Sequence, residues 1–311
     1  MSDSNFHSFM GHIWYLDPDG GPRLNRYGHR AEGRAKVSLI ENSISARYVI
    51  PGIYPNTWLT TFHVGFQQLD PQTSSSSRFV TGASAGHDRR GWRETFSLNY
   101  EIEAFTVGVD EGTSRLLMPQ GDWTRLWSRD PIFTRRGARV RVNMFGSHEA
   151  VASTARFFQI KVEGKLIREP ARRTRVILRG EVGRTITGKF RELPPTIRFF
   201  AGGDQSVRGF AFRTLSPKDE DGNPIGGPVL VVMSGELEYR FFEKWGVAAF
   251  YDAGNAFNED LIGSPEALER AVGGGVRWLS PIGMFRADVG FPISAPEFDP
   301  WRFHLTIGPD L

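Results

Sequence analysis

Apolar and polar residues alternate with a period of two in segment after segment of this 311-residue chain. Near the end, Trp301, Phe303, Leu305 and Ile307 share one face while Arg302, His304 and Thr306 share the other. Before it, Phe285, Ala287, Val289 and Phe291 oppose Arg286 and Asp288; earlier still, Val229, Val231, Met233, Leu237 and Tyr239 oppose Glu236, Glu238 and Arg240. Phe158, Ile160, Val162 and Leu166 oppose Gln159, Lys161, Glu163 and Lys165, and Val140, Val142 and Met144 oppose Arg139, Arg141 and Asn143. Trp58, Phe62, Val64 and Phe66 alternate in the same way, as do Trp92, Phe96, Leu98 and Tyr100. A period of two belongs to strands with unlike faces. The pattern predicts fourteen of them, at about 30–40, 43–50, 57–68, 78–87, 91–103, 114–126, 136–147, 155–168, 173–184, 228–241, 245–253, 270–279, 283–291 and 301–308.

Glu41-Asn42, Asp88-Arg89-Arg90-Gly91 and Pro281-Ile282-Gly283 read as turns, and the serine run Ser74–Ser77 as a solvated loop tip. The helical pattern is confined to Pro265–Arg270, and no second domain has room. A soluble sandwich also alternates, so the polar face has to decide. Here it is dense in opposite charges on long side chains, as a water-filled lumen would be. Aromatic residues gather near segment ends (Trp58, Trp92, Trp127, Trp245, Trp278, Trp301), as at the two interfaces of a bilayer. The segments have the length of a tilted membrane strand. The expected fold is all-β, an antiparallel transmembrane barrel.

Composition changes this picture little. Mean hydropathy is −0.33, and no apolar run reaches the roughly 18 residues of a membrane helix; a barrel escapes that test because only alternate residues face lipid. The net charge of +3 implies no nucleic-acid partner. Cysteine is absent, so neither disulfides nor thiolate metal sites are available. The seven histidines have no metal spacing, no hydrolase, zincin or phosphate-loop motif occurs, and His304 reads as a lumen filler. No cofactor and no catalytic residue is expected, and the chain reads as a non-enzyme.

The most informative words lie in the long gap between strands, residues 186–227. Arg198–Phe210 reads RFFAGGDQSVRGF, with a glycine turn at Gly202, Gly203 and Asp204 followed by Val207, Arg208, Gly209 and Phe210. A structureless connection of about forty residues points to a functional loop. Gly202, Gly203 and Gly209 suit positive φ or close backbone approach, as ordinary turn glycines also would. Gly273-Gly274-Gly275 makes either a deformable strand or relief from crowding in the lumen. Parity turns Glu238 and Asp252 toward the lumen, since Asp252 is out of phase with Val247, Ala249 and Tyr251.

With Asn25–Arg30 (NRYGHR), Asp130–Phe133 followed by Arg136-Gly137, Leu193-Pro194-Pro195, the strand word Phe250–Asn255 with its Phe250 and Gly254, and the tail Ile307–Leu311, these runs resemble the barrel of the TamA family. That family, the outer-membrane subunit of the translocation and assembly module, belongs to the BamA/TamA surface-antigen superfamily. The resemblance implies an integral outer-membrane barrel of a Gram-negative bacterium, sixteen strands in the family, whose loop folds into the lumen. It implies a lock in which Arg208 meets Asp252 or Glu238 on the wall, with Glu236 a weaker candidate; the competing reading of Arg208 is a solvated loop arginine. It also implies a terminal-strand signal in Trp301, Phe303, Leu305, Ile307 and Gly308. The family carries POTRA domains before its barrel. Residues 1–24 are expected to be an irregular remnant of the first hairpin, with at most one strand in Gly11–Leu24, and residues 25–311 the barrel. Met1–Gly11 does not read as a signal peptide, so a mature or truncated chain is expected, with an irregular seam.

Three functions remain open at this point. The first is assembly of outer-membrane proteins, autotransporters above all, with unfolded clients, membrane lipid and an inner-membrane TamB-like partner. The second is a two-partner-secretion pore, which shares the VRGF word but carries an N-terminal plug helix of which no sign is visible. The third is an inactive gene fragment.

Overall fold

A computed structural model of the protein describes residues 28–38, 40–52, 58–70, 74–128, 133–258, 268–280, 283–294, 299–308 and 310–311. The N-terminal segment expected to be a hairpin remnant lies outside them, as do Asn25–Tyr27 and Asp130–Ile132. The described chain forms β1 (Arg30–Lys36), β2 (Glu41–Pro51), β3 (Trp58–Leu69), β4 (Ser74–Arg89), β5 (Trp92–Val107), β6 (Asp110–Trp127), β7 (Gly137–Ser147), β8 (Phe157–Ala171), β9 (Thr174–Thr187), β10 (Val229–Arg240), β11 (Trp245–Phe257), β12 (Glu269–Ser280), β13 (Gly283–Pro292) and β14 (Arg302–Gly308). They make one antiparallel sheet in chain order. Each strand pairs with its sequence neighbours because every connection but one is short.

The sheet curls so that one face encloses a lumen. Residues 188–228 reach from that face to Glu103 on β5, Asp110 on β6, Gln159 on β8 and Asp252 on β11. The opposite face is apolar and exposed: Phe62, Phe96, Val182, Leu237 and Leu305 are each at least half exposed. This polarity is inverted relative to a soluble protein and is what lipid requires. Among the described residues β14 pairs with β13 alone and β1 with β2 alone. These two edge strands have seven residues each, against eighteen in β6.

Alternation of direction puts the connections at 52–57, 90–91, 128–136, 172–173, 241–244 and 281–282 at one end, and the long loop 188–228 at the other. In barrels of this kind the short turns face the periplasm. Trp58, Trp92, Trp127, Trp245 and Trp278 all sit at the short-turn end, and Trp301 at the other. In the two-residue turn Arg90-Gly91 both residues have positive φ, 51° and 80°, the hairpin geometry that matches strand twist.

Three local expectations need correction. Ser74–Ser77 is not a loop tip: it is the start of β4, paired with Ala104–Val107, and Ser74 and Ser76 are buried. A serine run is turn-like in isolation, but here the inward serines pack under the loop beside Glu103. Glu41-Asn42 is not a turn but the start of β2; the bend lies before it, where the Glu41 amide donates to Ser38 Oγ at 2.9 Å. The first half of the helical pattern at Pro265–Arg270 falls outside the described residues, and its end, Glu269-Arg270, is strand.

A charge placed at mid-strand on the outer face tests the inverted polarity. Val182 stands opposite Val162 and Val231 in its two ladders. Val182→Arg should destabilise the barrel in lipid vesicles by about 2–4 kcal/mol, measured by urea titration of the folded form; unchanged stability would place this face away from lipid.

Candidate functional site

β9 ends at Thr187 and β10 begins at Val229, and the intervening chain turns into the lumen. Its root is held by Arg198, which donates to the carbonyls of Leu193, Arg191 and Ile225 (2.8, 2.6 and 3.0 Å) and pairs with Asp110 at 3.1 Å. Thr196 donates to Glu103, and Gln159 Nε2 donates to the Ile197 carbonyl at 2.7 Å. Leu193 and Ile197 pack with Leu116, Met118, Ala155 and Phe157. Farther in, Phe199, Ala201, Val207, Phe210 and Leu215 pack on Leu230 and Val232 of β10, Ala256 of β11 and Ala271 of β12. The inward face of the upper wall is therefore apolar where the loop covers it, which a plain polar-inside rule does not anticipate.

The tip, Gly202–Phe210, is fixed by backbone geometry. Gly202, Gly203 and Gly209 have φ of 97°, 104° and 123°, a region that side chains disfavour. The Gly203 amide donates to the Phe210 carbonyl at 3.1 Å. Asp204 lies beside this turn, half-buried. A Cβ on Gly209 would lie 2.9 Å from that of Ala271, and one on Gly290 of β13 would lie 2.7 Å from the Arg208 carbonyl. Loop and wall thus touch backbone to backbone. Val207 and Phe210 are completely buried.

Arg208 points between four strands. Its Nε donates to Asp252 Oδ2 at 2.8 Å and its Nη2 to Asp252 Oδ1 at 3.0 Å, while its own amide also reaches Oδ2 at 3.0 Å. Nη1 meets Glu236 at 2.7 Å and Asp288 at 3.2 Å. The guanidinium lies 3.5 Å from the centre of the Phe250 ring. Burial opposes its charge, but the hydrogen bond and field of Asp252, and then Glu236, outweigh it and raise its pKa above the ordinary arginine value.

Glu238 does not take the place expected of it. It lies one residue pair nearer the short-turn end than Glu236, directly across the ladder from Arg175, to which it is paired, and Arg277 Nε donates to it at 3.0 Å. Glu236, the weaker candidate, is the second partner of Arg208. Parity gave both acids the same face; only distance along the strand separates them. Gly254 lets β11 lie close to β10, since a Cβ there would stand 2.9 Å from the Val232 Cα. Gly273-Gly274-Gly275 follows the crowding reading: a Cβ at Gly273 would press on the Phe250 ring, and one at Gly275 would lie 2.9 Å from the Asp288 Cα.

The sequence reading missed a continuation of this network. Arg277 joins Glu236 (2.7 Å), Glu238 (3.0 Å) and Asp288 (2.6 Å). Arg175 joins Glu238 to Asp310 (2.6 Å), Arg286 reaches the same carboxylate at 2.5 Å, and Lys165 donates to the Asp310 carbonyl at 2.5 Å. Five carboxylates therefore meet four arginines in a chain from the loop tip to the C-terminal tail, with Lys165 on the Asp310 backbone. Asp310, which had only the look of a strand end, is 1% exposed. Its signal was weak, an acid two residues beyond the last alternating position. The proposed strand signal itself faces outward: Trp301, Phe303, Leu305 and Ile307 are 46–61% exposed, and Gly308 ends β14 opposite Met284. His304 faces the lumen, where its Nε2 is buried without a hydrogen-bond partner.

Comparison with known proteins bears on both fold and family. The Omp85 superfamily domain matches residues 25–310. The outer membrane protein assembly factor BamA of Nitratidesulfovibrio vulgaris is 34% identical over 129 residues, 38% of this chain and 16% of that protein. BamA of Neisseria meningitidis serogroup B is 29% identical over 170 residues, 43% of this chain and 21% of that protein. The crystal structure of BamA from Haemophilus ducreyi lacking POTRA domains 1–3 superposes with a TM-score of 0.73 at 16% identity, over 89% of this chain and 63% of that one. CdiB from Escherichia coli follows at 0.61 and 13%, over 90% and 55%. The matched regions thus span only 16–21% of the BamA sequences.

Removing the cation at the centre leaves three carboxylates buried together. Arg208→Ala should destabilise the folded chain by about 3–5 kcal/mol and expose residues 188–228 to protease; Arg208→Lys should restore little, because a point charge lacks the planar fork. Wild-type protease resistance in both would refute the lock. Asp310→Asn should loosen the tail while leaving loop protection near the wild-type level, read by hydrogen exchange near Thr134 and at Leu311; if loop and tail loosen together, the network is one cooperative unit.

Proposed function

We propose, from the premise that this chain belongs to the Omp85 superfamily, that it is the barrel of a factor that inserts and folds other proteins in the outer membrane. The protein is an integral outer-membrane β-barrel of a Gram-negative bacterium. The observation that carries the reading is the contrast between the two parts of its wall. Arg208 pins β10, β11 and β13 to the loop, and Arg277 on β12 ties β10 and β13 to each other. The strand next to them, β14, is among the described residues a seven-residue edge whose outward side is apolar. A backbone group left unpaired in hydrocarbon costs several kcal/mol, so an edge of this kind is a template for an incoming strand. A firm wall beside a short edge lets that edge open without the barrel collapsing.

Within the superfamily we propose the TamA-type role, assembly of autotransporter clients with an inner-membrane TamB-like partner. Its support is the order of the sequence words, Arg198–Phe210 and Phe250–Asn255 among them. Copurification of a TamB-like protein would support this branch, and recovery of general assembly lipoproteins instead would move the chain to the BamA-type role.

The chain contains no cysteine, so single cysteines report cleanly. Thr306→Cys on β14 should form a disulfide with a cysteine in the terminal strand of a folding autotransporter, and vesicles carrying this barrel should fold that client faster than empty vesicles. Neither cross-link nor acceleration would overturn the proposal. A secretion pore would instead conduct: planar-bilayer current should be small for the wild type and rise in Arg208→Ala, whereas a large wild-type current unaffected by the substitution would favour the pore.

A further inference from the structure

Nearly every arginine that faces the lumen network has a carboxylate. The exceptions of interest lie outside, at the short-turn end. β6, β7 and β8 border a surface cavity of about 530 Å³ lined by Trp127, Arg136, Gly137, Ala138 and Arg168. Trp127, Ala138 and Arg168 share the parity of the outward residues Trp123, Val140 and Leu166, so the cavity opens on the lipid side. The pairs Trp127–Ala138 and Ala138–Leu166 are direct ladder partners. Gly137 contributes backbone to the cavity: its own Cβ direction is inward, where a side chain would press on Thr134 and Leu311.

Three cations converge on this place. Arg168 Nη1 donates to the carbonyls of Ile167 and Gly137 at 3.0 and 3.3 Å, which fixes the guanidinium and leaves Nε and Nη2 without a partner among the described residues. Arg125 lies over two indoles, 4.8 Å from the Trp127 ring and 5.7 Å from that of Trp92. Arg136 stands exposed at the rim. Among the described residues none of the three is in an ion pair. An arginine held on two indoles at a bilayer interface, beside two others in no ion pair among the described residues, suits an anion in the headgroup layer. Above the cavity the wall is apolar and hollowed: a Cβ on Gly164 would meet open space, beside Val140 on β7 and Gly180 on β9. Phosphate below and a furrow for hydrocarbon above describe one ligand.

We propose that this cleft binds the phosphate headgroup of an anionic glycerophospholipid in the leaflet at the short-turn end. Arg168 and Arg136 hold the phosphate, Arg125 supplies further positive charge from its seat on Trp92 and Trp127, and an acyl chain lies along Gly164. The bound lipid fills the surface of β6–β8, the side of the wall away from the β14 edge.

The test uses the full chain folded in bilayers of phosphatidylcholine doped with phosphatidylglycerol, extracted into mild detergent and weighed with its retained lipid by native mass spectrometry. Phosphatidylglycerol should be retained in preference to phosphatidylcholine. Arg136→Gln and Arg168→Gln should each lower that preference about fivefold, the equivalent of about 1 kcal/mol per basic residue near a charged membrane surface. Arg89→Gln and Arg90→Gln, at another turn of the same end, should leave it unchanged. Equal retention of the two lipids by the wild type would overturn the proposal without any variant being needed. So would equal losses in the control variants, which would mean a diffuse rim charge, or displacement of the lipid by inorganic phosphate at millimolar level, which would mean a free-anion site.

Discussion

The structure rests on charge neutrality in a confined lumen. A curled sheet with lipid outside must turn its polar side chains inward, and the long loop then fills that space and removes water from them. A carboxylate in such a place is tolerated only when a cation and good geometry accompany it. Arg208, Arg277 and Arg175 meet that condition for Asp252, Glu236, Asp288, Glu238 and Asp310. The glycines follow from the same constraint. Gly209 and Gly290 let the tip lie on β13, and Gly275 leaves room for Asp288. Each is a place where a side chain would push a charge away from its partner.

The network also gives the molecule a direction. It runs from the tip of the long loop through β10–β13 to Asp310, on the short-turn side, so events at the two ends act on one set of ion pairs. Arginine is the suitable cation here: it stays charged when buried and engages two acceptors at once. The firm part of the barrel is therefore β9–β13. The strands at the edges, β1 and β14, are short, and β14 joins the lumen network at one end, through Asp310 of the tail. A protein that handles the strands of others needs both properties side by side.

Much of the architecture was legible in advance, for a physical reason. Lipid on one side and charge on the other impose a strict period of two, so the fourteen segments, and the outward faces of those with the cleanest alternation, were readable from the sequence. Positive φ at Gly202, Gly203 and Gly209 was readable from composition because few residues tolerate it. Errors came where local chemistry was ambiguous. Ser74–Ser77 looks like a turn in isolation, and its burial depends on a loop more than a hundred residues away. Glu236 and Glu238 have identical parity, so no pattern could say which one faces Arg208. Arg175 and Asp310 are 135 residues apart and meet only because the sheet curls.

The sequence by itself determined the strands, their two faces, the inward direction of Asp252 and Glu238, and the presence of a special loop. These depend on periodicity and on steric limits that act over a few residues. Which charges pair, where the loop tip rests, that the tail enters the lumen and that Arg125, Arg136 and Arg168 gather near Trp127 without an ion pair among the described residues were settled by the tertiary structure. Those facts depend on curvature and stagger, which accumulate over the whole sheet and leave no mark on any single stretch of chain.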